Sequence, residues 1–296
     1  MNKDELRISY LETTGRCNLN CPICVERYRN FDMDMDDFYA IADANEKLFC
    51  GNKLWLDFNG EPLVDPFFFE RVKYLREKGA IIRISTNGLL LTEENCMKLV
   101  QSGISYLVIS VSTLDPVLYQ TIRGVNALDI VLKNVQRLKD CVDKEKSPMQ
   151  LQAVVIDTGT TDTKHFISYF HERGFHAAVH QFTHRAQCSR KQYVVTHNDI
   201  PKRGACQGRK QNIGILCNCE VVTCCSDFRG INSLGNLRNY NYSVSDLIQA
   251  SNLDLVIEEQ ENQIFRGACA TCGDWIYYQK DSTEKYVTVY PLEESE

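Results

Sequence analysis

Three cysteines stand close together early in the chain, Cys17, Cys21 and Cys24, in a C-x3-C-x2-C frame within GRCNLNCPIC. Thiolates are soft ligands suited to zinc or iron–sulfur clusters. A loop this short can wrap three of them around one face of a metal group. A closed structural site normally takes four protein ligands, so an incomplete set points to an exchangeable fourth position, as at catalytic metals. Zinc completed by a distant ligand is the competing reading for the triad alone. Four more cysteines, Cys206, Cys224, Cys269 and Cys272, follow the frame C-x17-C-x44-C-x2-C and make a closed set, suited to a second cluster or to structural zinc.

The chain has 14 cysteines in 296 residues. Its first residues carry no apolar signal region, and no later stretch approaches the roughly 20 apolar residues that span a bilayer. The expected location is therefore the cytoplasm, where thiols stay reduced, so metal ligation explains the cysteines better than a disulfide framework. Cys50, Cys96 and Cys141 fall in or beside helical segments and are expected to be small buried apolar groups. Cys188, Cys217, Cys219 and Cys225 lie in or beside the second cysteine region, and any of them could replace an assigned ligand. Apolar residues make up 44% and charged residues 24%, with a net charge of −6, the profile of a folded globular chain. That charge favours neither nucleic acid nor an anionic membrane as the main partner.

Strands and helices must hold these thiols. Short β-like runs at residues 7–11, 54–58, 81–85, 106–111, 151–156 and 177–182 alternate with helical spacing at 66–78, 93–102, 127–139 and 163–173. This alternation predicts βα units around a parallel sheet, a partial (β/α)6-type barrel of the α/β class. Active sites in such sheets lie at the carboxyl ends of the strands. The loops there read GRCNLNCPIC, NGEPLVDP, TNG and STLDP. The acidic run DMDMDD at 32–37 reads as a first helical turn, which suits the helix dipole. The pattern changes after His184 to a glycine- and cysteine-rich stretch with a β-hairpin, then helical spacing at 243–265. Two domains are expected, 1–185 and 186–296.

The triad resembles the signature of the radical S-adenosylmethionine superfamily. The resemblance covers roughly residues 7–185 and rests on several loops in order. It implies a [4Fe–4S] cluster on Cys17, Cys21 and Cys24 whose open iron chelates S-adenosylmethionine, and reductive cleavage to a 5′-deoxyadenosyl radical that takes a hydrogen atom from substrate. The cofactor carries the hard chemistry. By the same resemblance Gly60, Glu61 and Pro62 match the family's GEP motif, which holds the cofactor's ammonium. Ser85, Thr86 and Asn87 match positions lining its ribose or methionine part, with Ser110 and Ser112 at the corresponding end of the next strand. Ile23 takes the place of the apolar residue against adenine. Arg123 matches an arginine near the cofactor carboxylate, a task its bidentate fork suits.

The second cysteine set, with its hairpin and helix, resembles the twitch appendage, the shortened relative of the SPASM domain. This implies one auxiliary [4Fe–4S] cluster and hence two clusters in all, since no cysteine follows Cys272. Length and cysteine frame resemble the butirosin-type aminocyclitol dehydrogenases. The leading expectation is hydrogen abstraction from a sugar, aminocyclitol or natural-product intermediate, ending in oxidation, with a flavodoxin- or ferredoxin-type reductant.

The alternative is epimerisation of a sugar or ribosomal peptide, with the Cys225 thiol returning a hydrogen atom; filler beside the cluster is its bland role. Many peptide-maturing relatives carry an N-terminal recognition domain, whereas here the first strand is expected by about residue 7, which places small molecules ahead of peptides. A non-catalytic iron–sulfur or zinc protein is the third reading. His180 and Arg185, on or just past the sixth strand, are the candidates for substrate contact or proton removal.

Overall fold

The computed structural model describes residues 6–25, 29–182, 203, 206, 213–275 and 287–292. Six parallel strands form its centre: β1 (Ile8–Leu11), β2 (Lys53–Trp55), β3 (Ile81–Thr86), β4 (Tyr106–Ser112), β5 (Gln150–Asp157) and β6 (His176–Gln181). They lie side by side in sequence order, each paired in parallel with the next. The helices between them are α1 (Met35–Ala44), α2 (Glu46–Phe49), α3 (Phe68–Glu77), α4 (Glu93–Ser102), α5 (Pro116–Arg123), α6 (Leu128–Lys144) and α7 (Thr163–His171). This is the expected α/β partial barrel.

Local chemistry sets the helix limits. Asp115 caps α5 by accepting from the Leu118 N–H at 2.7 Å, and Pro116 follows at the first helical position, where its missing N–H costs nothing. Gly124 ends the same helix at φ +77°, a left-handed conformation that favours glycine. Helix α6 turns Leu128, Val131, Val135, Leu138 and Val142 inward at helical spacing, onto a continuous core between sheet and helices. Of the acidic run, only Asp36 and Asp37 sit in the first turn of α1; Asp34 caps it and Asp32 pairs elsewhere. Strand β2 is shorter than its sequence suggests, because the Asp57 carboxylate accepts the Ser85 N–H at 2.7 Å where a strand carbonyl would have continued the ladder.

The C-terminal region extends this sheet at both edges. Strand β7 (Ile213–Ile215) pairs in parallel with β1, and β8 (Glu220–Val222) and β9 (Gly235–Asn236) follow antiparallel, the hairpin expected there. Helices α8 (Val244–Ala250) and α9 (Leu253–Glu261) come next, and β10 (Val287–Tyr290) closes antiparallel on β6. Among the described residues no helix is long and apolar enough to cross a membrane.

Candidate active site

The triad loop begins four residues after β1 and is pinned from several sides. The Gly15 N–H donates to the Phe31 carbonyl at 3.0 Å, and Arg16 grips Asp32 through two bonds of 2.9 and 2.6 Å. Arg16 also accepts the Glu61 N–H on its carbonyl at 2.8 Å, which ties this loop to the one after β2. Gly60 sits at that crossing. A Cβ there would lie 2.2 Å from the Thr14 oxygen and 2.7 Å from that of Arg16, so only glycine fits. Cys17, Cys21 and Cys24 all line one cavity of 250 Å³. The Leu19 N–H points at Cys17 Sγ from 3.4 Å, and Asn87 Nδ2 and Arg123 reach Cys17 and Cys21 Sγ at 3.8 and 3.9 Å.

The carboxyl ends of the strands supply the other walls. Glu61 is 2% exposed and accepts from Thr86 Oγ1 at 2.7 Å and the Asn87 N–H at 2.8 Å. Burial pushes its carboxyl up to about 7, against the pull of those hydrogen bonds, and neighbouring Asp57 pushes the same way. Pro62 does not face the cavity; it is buried as the first residue of a short 3-10 helix (Pro62–Val64) and fixes the turn behind Glu61. Ser85, Ser110, Ser112 and Ile23 join Gly60, Glu61, Thr86 and Asn87 on the same cavity. Ser112 takes φ +77° at a break in the β4–β5 register, and its Oγ accepts from Arg123 at 2.6 Å. Arg123 also donates to the Ser110 carbonyl, while its Nε is buried without a hydrogen-bond partner. A non-glycine left-handed residue held beside such a guanidinium is the strain that functional sites store.

A second cavity of 440 Å³ adjoins the first, and Asp57, Phe58, Ser85, Val108 and His180 line both. Cys225 closes it from the C-terminal region. Burial raises the Asp57 carboxyl to about 6, against the Ser85 hydrogen bonds. Asp57 escaped the sequence reading, as did Trp55, Arg83, Tyr106 and Gln152 on the walls. The clearest signal was at Trp55 and Asp57 and at Arg83 and Ser85, aromatic or polar residues between apolar Leu54, Leu56, Ile82 and Ile84, the mark of an interior barrel face. Arg185, His184 and Cys188 lie outside the described residues.

The second set of thiols is linked by electrostatics. Cys206 acts electrostatically on both Cys224 and Cys272, and Cys269 on Cys272. Cys272 is pushed up to about 12, mainly by burial and then by Asp274 and the other thiols. Cys224 is raised by its hydrogen bond with Cys225, then by burial. Asn232 Nδ2 and Gln260 Nε2 each point at Cys269 Sγ from 3.6 Å, and the Ser226 N–H at Cys224 Sγ from 3.4 Å. Such donors tune a cluster's potential. Among the described residues no three His, Cys, Asp or Glu side chains meet at a single-ion position. Cys217 and Cys219 belong to the apolar core, raised in pKa by burial, and take no part. Cys96 is buried as expected and Cys141 half-buried, but Cys50 is exposed, because the residue that ends α2 leads into a surface turn.

The family model "Radical SAM superfamily" matches residues 11–163, more than half of the chain. The chain belongs to the radical SAM superfamily. It is 32% identical over 158 residues to the tungsten-containing aldehyde ferredoxin oxidoreductase cofactor-modifying protein of Pyrococcus furiosus, a match covering 51% of this chain and 44% of that one. A probable GTP 3′,8-cyclase of Methanococcus maripaludis is 26% identical, with 57% of each chain covered. The chain thus spans about half the length of these curated relatives. Among solved structures BtrN, in complex with AdoMet and 2-DOIA, aligns with a TM-score of 0.64 at 16% identity, covering 96% of this chain and 98% of that one. SuiB of Streptococcus suis, bound to the precursor peptide SuiA, aligns at 0.63 and 13% identity, covering 83% and 67%. At these identities the likeness is one of fold.

Proposed function

We propose that this radical SAM enzyme holds S-adenosylmethionine in the triad cavity and removes a hydrogen atom from a C–H bond of a small molecule in the adjoining one, with net oxidation. The shared wall of the two cavities carries this reading, since a bound substrate carbon would meet the cofactor across Ser85, Asp57 and His180. The residues fit the cofactor and its cluster. The donor set is three thiols on one wall, beside a buried carboxyl and a guanidinium whose Nε lacks a partner. When bound, the cluster and S-adenosylmethionine supply one-electron chemistry that ends in hydrogen-atom abstraction from carbon. Cys17, Cys21 and Cys24 would ligate the cluster. Glu61, with Thr86 and Asn87, would hold the cofactor's ammonium, Arg123 with Ser112 and Ser110 its carboxylate side, Ser85 the ribose side and Ile23 the adenine.

Oxidation also requires a base. Asp57, raised to about 6, and His180 both face the shared wall, and either can take the proton a substrate alcohol must lose. Cys206, Cys224, Cys269 and Cys272 would hold an auxiliary [4Fe–4S] cluster that accepts the second electron, in a domain beginning near residue 186. Under this reading a flavodoxin- or ferredoxin-type protein delivers the first electron, and the substrate is a sugar, cyclitol or related intermediate.

The deciding experiment is anaerobic iron and sulfide analysis with EPR, alongside an assay for reductant-dependent 5′-deoxyadenosine. Wild type should hold about eight irons and the Cys17→Ala, Cys21→Ala, Cys24→Ala variant about four, with 5′-deoxyadenosine formed by wild type alone. Full iron with no 5′-deoxyadenosine would overturn the enzyme reading. One observation favours epimerisation as a second reading: Cys225 lines the substrate cavity, where its S–H can return a hydrogen atom. Cys225→Ala separates the two. Oxidised product persists in that variant if the enzyme is a dehydrogenase, whereas an epimerase loses solvent deuterium incorporation into its product.

A further inference from the structure

Arg83 lies in the middle of β3, flanked by Ile82 and Ile84, and faces the interior of the barrel. Strand register sets it opposite Trp55 on one side and Tyr106 on the other. Its guanidinium carbon lies 5.6 Å from the Trp55 ring centre and 4.8 Å from that of Tyr106. Both rings thus bind the cation through their faces, which fixes the side chain without neutralising it. Its Nε is buried with no hydrogen-bond partner, and among the described residues the guanidinium pairs with no carboxylate. The residue is half-buried on a mostly apolar cavity wall, where a partly desolvated cation favours an anionic partner. Asp57 makes no ion pair with it, its carboxylate being held by the Ser85 N–H. Tyr106 is also committed, donating its hydroxyl to Gln152.

The rest of the 440 Å³ cavity is mostly ring and hydrocarbon, from Tyr10, Phe58, Phe228, Val108 and Val287. Arg83 precedes Ser85 by two residues, one pleat of roughly 6.6 Å along the strand. Ser85 belongs to both cavities. A ligand anchored at Arg83 therefore reaches the shared wall with an atom a few bonds away.

We propose that Arg83, caged by Trp55 and Tyr106, is the substrate-anchoring residue, and that the substrate is an amphipathic anion, an apolar or aromatic body bearing a carboxylate or phosphate. The inference rests on the hydrogen-atom abstraction proposed above and revises its substrate class: an unpaired guanidinium repels a cationic aminocyclitol, and walls of ring and hydrocarbon suit an apolar body better than a hydroxylated ring. A planar carboxylate and a phosphate meet the guanidinium fork alike, so the two are separated by test.

The probes are benzoate, phenyl phosphate and benzylamine, titrated by calorimetry and ligand-observed NMR into the anaerobically reconstituted full chain saturated with S-adenosylmethionine. Wild type should bind at least one anion and exclude benzylamine; the preferred anion identifies carboxylate or phosphate. Arg83→Gln should weaken that anion at least tenfold, and Arg83→Lys should retain an intermediate affinity, which separates loss of charge from loss of fold. Cofactor binding by wild type is measured first, by titrating S-adenosylmethionine into the reconstituted chain before any probe is added. Its failure would overturn the radical SAM site assignment. Intact cofactor binding with no anion bound, with benzylamine preferred, or with Arg83→Gln equal to wild type, would overturn the anchoring role alone.

Discussion

At the scale of single residues, Glu61 is where burial and hydrogen bonding oppose each other most clearly. Three donors, the Asn87 N–H, Thr86 Oγ1 and the Leu63 N–H, favour its carboxylate, yet burial and the nearby Asp57 charge carry its pKa to about 7 from the usual 4.5. A raised acid keeps its proton longer in the folded state, so this group makes the ligand-free protein lose stability as pH rises from about 4.5 to about 7. An ammonium bound against Glu61 stabilises the charged form and draws its pKa down. Cofactor affinity is therefore expected to increase with pH through about 7 and to level above it, with a proton released on binding at the lower end. Calorimetry in buffers of different ionisation enthalpy between pH 6 and 8 reads that proton directly. Glu61→Gln should bind more weakly and without this pH dependence; a wild-type affinity flat across the range would remove Glu61 from the ammonium site.

At the scale of elements, the cofactor cavity depends on loops bracing one another. The loop after β2 hangs on the triad loop through the Glu61 N–H and the closeness of Gly60 to the Thr14 and Arg16 carbonyls. Gly60→Ala puts a methyl into backbone atoms that cannot rotate away. The expected result is a stability loss of about 1–3 kcal/mol, the range for overpacking, with iron lost from the triad and the second set still loaded. Thermal melting and iron counts on that variant check it; an unchanged iron content would show that the two loops are not coupled. Much at this scale was legible in advance. The six strands and four of the helices follow from period-two and helical spacing plus turn residues, whereas the predicted loop residues on the cofactor cavity came from the family resemblance. For Asp57 and Arg83 alternation marks only the interior face; their roles come from neighbours on adjacent strands, and register between strands leaves no local trace in a single sequence.

At the scale of the whole molecule, the C-terminal region is locked to the barrel by polar contacts between residues about 200 positions apart, some fully buried and some partly exposed. Arg238 pairs with Asp37 on α1, which also accepts the Tyr242 hydroxyl at 2.7 Å, and Asn45 accepts the Val244 N–H at 2.9 Å. The decisive link is Glu12, fully buried just past β1. It pairs with Arg29 Nε at 3.0 Å and accepts the Cys217 N–H at 3.1 Å, while Arg29 also donates to the carbonyl of Phe228 on the substrate-cavity wall. One ion pair thus joins first strand, triad-loop flank, hairpin and substrate wall. Removing one partner of a buried pair leaves a naked charge and costs about 3–5 kcal/mol, whereas removing both is far milder. Arg29→Met is accordingly expected to lower stability by that amount in urea denaturation and to release iron from the second cysteine set, which depends on Cys224 staying in place. Adding Glu12→Gln should recover part of the loss, because the stranded carboxylate is gone. If Arg29→Met costs less than about 1 kcal/mol, the hairpin is held by the β1–β7 ladder and its apolar packing, and the ion pair plays no part in joining the two cysteine sites.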